Sequence, residues 1–89
     1  MKHYNIIVIG KVQGVFYRQS ALDIANELGL YGFVQNELNG NVYIEAEGTE
    51  MQLEKFINWC RNGPPRAVVH DVKFSEGKIQ DFSSFSISR

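Results

Sequence analysis

Gly10-Lys11-Val12-Gln13-Gly14-Val15-Phe16-Tyr17-Arg18 joins an apolar, strand-like run to a helix-like one. Upstream, Tyr4 to Ile9 ends in four consecutive Ile/Val positions, the composition of a central strand covered on at least one face. Downstream, Tyr17, Ala21, Ile24, Ala25 and Leu28 recur at i, i+4, i+7, i+8 and i+11, one face of a helix. Gly29 follows where a left-handed residue commonly closes a helix. Gly10 and Gly14 admit backbone conformations closed to other residues. Arg18 sits at the mouth of the helix, where free N–H groups and the dipole favour an anion. The stretch reads as an anion cradle suited to a phosphate. It is not a Walker loop, because the glycine spacing is one short and no Gly-Lys-Ser/Thr follows.

Beyond the helix, Leu30, Gly32, Val34 and Asn36 alternate with Tyr31, Phe33 and Gln35, as in a second strand. Asn39-Gly40 is a hairpin turn signal. Val42, Ile44 and Ala46 then alternate with Tyr43, Glu45 and Glu47, predicting a half-buried third strand whose acidic face is solvated. Thr49 and Gln52 fit a capping box. Leu53, Phe56, Ile57 and Cys60 give a second amphipathic helix, stopped by Asn62-Gly63-Pro64-Pro65. Ala67 to Phe74 reads as a fourth strand whose mixed parity suggests a bulge, with the chain loosening at Glu76-Gly77-Lys78. Phe82 to Ile87 fits a short last strand.

The order β-α-β-β-α-β plus a short C-terminal strand predicts an α+β, ferredoxin-like split β-α-β sandwich with two helices on one face of an antiparallel sheet. Right-handed crossovers make strands 1 and 2 parallel, with strand 3 antiparallel between them. The glycine loop and Asn36 then leave the sheet at the same end, roughly 10 Å apart, a gap for one phosphate and one water.

The bulk composition narrows the function classes. Eighty-nine residues are expected to form a single domain over 1–89, which buries roughly 60–65% of its unfolded surface. A net charge of −1 lacks the positive field of a nucleic-acid binder, so no nucleic-acid partner is expected. The single cysteine, Cys60, excludes an internal disulfide. His3, His70 and Cys60 are too scattered for a metal site. No run approaches the ~18 apolar residues of a membrane span, and Met1-Lys2-His3-Tyr4-Asn5 lacks the features of a signal peptide. The expectation is a cytoplasmic, monomeric protein with no membrane partner.

Val12-Gln13-Gly14-Val15-Phe16-Tyr17-Arg18 resembles the acylphosphatase signature, a V-Q-G-V loop ending in an aromatic residue and an arginine. Leu28-Gly29-Leu30-Tyr31-Gly32-Phe33-Val34-Gln35-Asn36 is similar to the family's second motif. Asn39-Gly40-Asn41-Val42, Ala46-Glu47-Gly48, Gly63-Pro64-Pro65 and Phe85-Ser86-Ile87 also match, although the family often has Asp-Gly at the hairpin turn. The resemblance covers essentially the whole chain. It implies hydrolysis of the carboxyl-phosphate bond of small acyl phosphates to a carboxylate and inorganic phosphate. It further implies that Arg18 and the backbone amides of Gln13, Gly14, Val15, Phe16, Tyr17 and Arg18 bind the phosphoryl group, and that Asn36 positions the attacking water. No cofactor or metal is implied.

Few residues suffice for this chemistry. The leaving carboxylate belongs to an acid of pKa near ~4 and needs no general acid. Phosphoryl transfer leans on positioning and electrostatic stabilisation. Alternatives on the same fold are a non-catalytic phosphate- or acyl-phosphate-binding module and an RNA-binding module. The aromatic run Tyr31-Gly32-Phe33-Val34 lies on the wrong strand for the latter, and Glu45 and Glu47 would repel RNA phosphates.

Overall fold

In the computed structural model, which describes residues 1–88, the first apolar run forms a ten-residue strand, β1 (Lys2–Lys11). There follow α1 (Tyr17–Leu28), β2 (Tyr31–Asn36), β3 (Val42–Gly48), α2 (Glu50–Asn62), β4 (Val68–Gly77) and β5 (Phe85–Ile87). The sheet order is β4-β1-β3-β2-β5. β3 is antiparallel to both β1 and β2, so these two run parallel with β3 between them. The predicted split β-α-β arrangement is therefore present.

The sheet is mixed rather than antiparallel. β5 pairs parallel with β2, Gly32 opposite Phe85 and Val34 opposite Ile87. β4 ends beside the start of β1, and the chain crosses that same end of the sheet to Phe85 beside the start of β2, so β5 runs in the same direction as β2. Two other boundaries shift. β4 continues through Glu76 to Gly77, because these residues still pair with Tyr4 and His3 of β1. Phe82, expected in the last strand, instead stacks on the His3 ring at 5.9 Å and meets Phe33 edge-on at 5.8 Å. The suspected bulge in β4 is real: Ile9 faces Asp71 but Gly10 faces Val69, leaving His70 as the extra residue.

Period-2 alternation decides which side is core. Tyr4, Ile6 and Val8 of β1, Val34 of β2, and Val42, Ile44 and Ala46 of β3 are buried in one cluster with Ala21, Ala25, Leu53, Phe56 and Ile57 of the helices. Phe56 is fully buried there, and the burial of such a ring is worth roughly 1.5–3 kcal/mol. Gly29 closes α1 in the left-handed conformation. α2 begins with the predicted capping box: Gln52 N donates to Thr49 Oγ1 at 3.2 Å and Thr49 N donates to Gln52 Oε1 at 2.8 Å.

On the opposite face, Glu47 departs from expectation. It is only 1% exposed. His3 Nδ1 lies 2.7 Å from its Oε2, which also accepts from Gln80 N, while Phe82 N donates to its Oε1 at 3.2 Å. Alternation placed Glu47 correctly on the side away from the helices, but the segment after β4 folds back and covers it. Burial pushes its carboxyl pKa up, yet the donors from Gln80, His3 and Phe82 together outweigh that and hold it below the ordinary range. Glu45 stays partly exposed and accepts from Tyr43 Oη at 2.7 Å. Among the described residues, no helix is long and apolar enough to cross a membrane.

Candidate active site

The loop between β1 and α1 is pinned by alternate burial. Val12 and Val15 are buried, as is Tyr17, whereas Gly14 and Phe16 between them are exposed. Two residues adopt positive φ: Gly14 at 71° and Phe16 at 66°. The second is unusual, since an L side chain in this region costs roughly 1–2 kcal/mol. Phe16 is also the N-cap of α1 and makes no side-chain cap. Among the described residues, none of the backbone N–H groups from Gln13 to Arg18 donates a hydrogen bond within the protein. Successive left-handed turns with unused N–H groups form the concavity that binds anions elsewhere. The first turn of α1 adds its dipole.

Asn36, the last residue of β2, reaches the same end of the sheet. Val8 of β1 faces Val42 of β3, and Val42 faces Asn36. The loop therefore leaves β1 just beyond the row that ends in Asn36. A cavity of about 260 Å³ opens there, lined by Val12, Gly14, Phe16, Tyr17, Arg18 and Asn36. Asn36 Oδ1 is buried and has no hydrogen-bond partner. Arg18 is partly exposed and forms no ion pair among the described residues. An unpaired guanidinium and the Asn36 residue thus share one cavity with an open N–H loop. That combination suits an anion and a water.

Of the residues singled out in the sequence, Gly14, Phe16, Tyr17, Arg18 and Asn36 line this cavity, and Val12 joins them. Val15 does not; its side chain belongs to the core. Nor does Gln13. Its side chain turns away, and Nε2 donates to Glu37 O at 2.8 Å and Asn41 O at 2.9 Å across the β2–β3 hairpin. That tie carries no sequence signal beyond a glutamine of sufficient reach.

The Tyr17 ring is buried against Trp59, and its hydroxyl donates to Cys60 O at 2.9 Å. Burial is the main cause that pushes the Tyr17 phenol up. The Cys60 thiol, also buried, is pushed up to about 12. Both are neutral at physiological pH and unsuited to proton transfer or nucleophilic attack there. Among the described residues, no group of three or more His, Cys, Asp or Glu side chains is arranged to hold a metal.

Comparison with known proteins settles the family. The acylphosphatase family model matches residues 4–87. The chain belongs to the acylphosphatase family. An acylphosphatase from Marinobacter nauticus is 45% identical over 86 residues, covering 96% of this chain and 94% of the relative. One from Archaeoglobus fulgidus is 41% identical over 83 residues, covering 93% of each. The crystal structure of acylphosphatase from Bacillus subtilis superposes with a TM-score of 0.97 at 38% identity, covering both chains fully. These likenesses make the chain an acylphosphatase enzyme, and the family acts on small acyl phosphates.

Proposed function

We propose that this acylphosphatase hydrolyses small acyl phosphates by direct attack of a water on phosphorus, with Arg18 and the loop amides holding the phosphoryl group and Asn36 holding the water. The observation that carries the reading is the convergence of Arg18, Asn36 and the loop of Gly14 and Phe16 on one cavity. A side-chain amide can donate to or accept from a water and so hold it in line with the scissile bond. The guanidinium fork and the N–H groups from Gln13 to Arg18 match equatorial phosphoryl oxygens, where charge gathers in the transition state. The carboxylate leaves unaided because its conjugate acid is strong enough to need no proton donor.

Asn36 is too weak a base to deprotonate the water. A phosphoryl oxygen of the substrate, or bulk water, takes that proton. Neither Tyr17 nor Cys60 is available for the role, since burial keeps both protonated. A limb in the pH–rate profile that disappears on mutation of one side chain would contradict this part.

The test is hydrolysis of benzoyl phosphate by wild type and Arg18→Ala, with and without a chelator, in ¹⁸O-labelled water. Wild type turns over, the label enters phosphate and not benzoate, and Arg18→Ala loses at least about 10²–10³-fold in kcat/KM, the loss that one oxyanion donor carries in other enzymes. Label in benzoate would move the attack to carbon. Chelator-sensitive turnover would require a metal, and a folded but inert wild type would favour a binding module.

A further inference from the structure

The proposed mechanism needs two groups in register, yet they stand on different elements. The phosphoryl cradle lies on the loop between β1 and α1, and Asn36 ends β2. β3 separates the two strands and begins only at Val42. Among the described residues, no ladder of backbone hydrogen bonds holds the loop to the hairpin beyond that residue, and the Gln13 side chain crosses the gap.

Gln13 spends both N–H groups of Nε2 on the hairpin: Glu37 O at 2.8 Å and Asn41 O at 2.9 Å. These two carbonyls are the hairpin's own closing groups. Glu37 O also accepts from Gly40 N at 3.1 Å, and Asn41 O from Glu37 N at 2.8 Å. With Gln13 in place, two hydrogen bonds reach each oxygen, which fills its two lone pairs. Gln13 adjoins Gly14 of the cradle and Glu37 adjoins Asn36, so the tie joins residues next to each half of the site.

We propose that Gln13 is a positioning residue that sets the distance between the phosphoryl cradle and the water held by Asn36; this rests on the reading above. The residue type follows from the geometry. Two N–H donors on one nitrogen are needed at the reach of three side-chain bonds beyond Cβ. Glutamate of the same size offers acceptors to two carbonyls, asparagine is one methylene short, and methionine has the reach without the donors. A misplacement of about 1 Å between reacting groups costs on the order of 10²-fold in rate. Phosphate binding needs the cradle alone and is indifferent to where the hairpin sits.

The experiment is a double-mutant cycle with benzoyl phosphate, using Gln13→Met, Gln13→Glu, Asn36→Ala and the two combinations, with inorganic phosphate as competitive inhibitor. Gln13→Met is expected to lower kcat by about 10- to 100-fold while the inhibition constant of phosphate stays within about threefold. Gln13→Glu falls at least as far. In the Asn36→Ala background either change costs no more than about twofold, because the group being positioned is gone.

A loss of equal size in both backgrounds, or phosphate binding weakened in proportion to kcat, gives Gln13 a structural role only and overturns the inference. So does a circular dichroism spectrum showing both variants unfolded, and so does an unchanged kcat. If wild type is inert towards benzoyl phosphate, the functional reading falls and this inference with it. If wild type is active and Asn36→Ala impaired while Gln13→Met is not, this inference alone fails.

Discussion

Replacing Glu47 by glutamine removes one charge from the cluster beneath the sheet and leaves its volume unchanged. In the native protein three donors converge on the carboxylate: the His3 ring, Gln80 N and Phe82 N. An amide keeps one acceptor oxygen and turns an NH₂ group towards the remaining donor. One hydrogen bond to a charged group, worth about 1.5–3 kcal/mol, is lost, and the others weaken. The buried donor left facing the new NH₂ group adds a penalty of about 1–3 kcal/mol, so a loss near ~3 kcal/mol is expected. At about 4–8 °C per kcal/mol for a domain of this size, the midpoint of thermal unfolding falls by about 12–24 °C at neutral pH.

The pH dependence has a definite sign. The Glu47 carboxyl is held below its ordinary value of 4.5, so its contribution is complete above that value and is lost as pH falls through the lowered native one. The Glu47 carboxyl's own contribution to the wild-type advantage over Glu47→Gln therefore shrinks as pH falls below about 5. Urea and thermal melts by circular dichroism across this range are the assay. Because Glu47 faces His3 at the start of β1, away from the cavity at its end, kcat measured well below the melting point is unchanged. A midpoint within about 3 °C of wild type at pH 7, or a gap undiminished near pH 3, would refute the reasoning.

The capping box of α2 offers a second stability test: Thr49→Ala loses the bond from Gln52 N and is expected to cost about 0.5–2 kcal/mol in a urea melt. The two glycines of the opening stretch should differ in cost. A Cβ on Gly10 would lie 2.2 Å from Val68 O, whereas one on Gly14 meets nothing within 4 Å. Gly10→Ala should therefore lower the melting midpoint further than Gly14→Ala, whose expected loss of about 1 kcal/mol is backbone strain alone. Cys60 is fully buried with its thiol pushed up to about 12, so a thiol-titrating disulfide reagent at pH 8 should label it only after denaturant is added.

Much of this architecture is legible in the sequence, and the exceptions have physical causes. The alternation of Leu30, Gly32, Val34 and Asn36 against Tyr31, Phe33 and Gln35 fixed both the strand and the side its residues face, because one face of the sheet must bury against helices. Connection handedness then placed β3 between β1 and β2, which brought Asn36 to the end where the glycine loop begins. The direction of β5 was not legible, since three residues carry no signal for parallel or antiparallel pairing. Glu47 read as solvated because alternation reports the side of a sheet, not whether a distant segment will cover it. Phe16 in a left-handed conformation left no trace, as nothing about an aromatic residue announces it. Gln13 was read for its backbone amide, while its side chain acts on carbonyls 24 and 28 positions away.

The proposed division of labour between Arg18 and Asn36 is tested most directly by Asn36→Ala, with kcat for benzoyl phosphate and the inhibition constant of inorganic phosphate measured on the same preparation. The expected result is a fall in kcat of at least about 10²-fold with phosphate binding within about threefold of wild type, because the water is lost and the cradle is not. A kcat equal to wild type, or phosphate binding that weakens as much as kcat falls, would contradict the assignment of Asn36 to the attacking water.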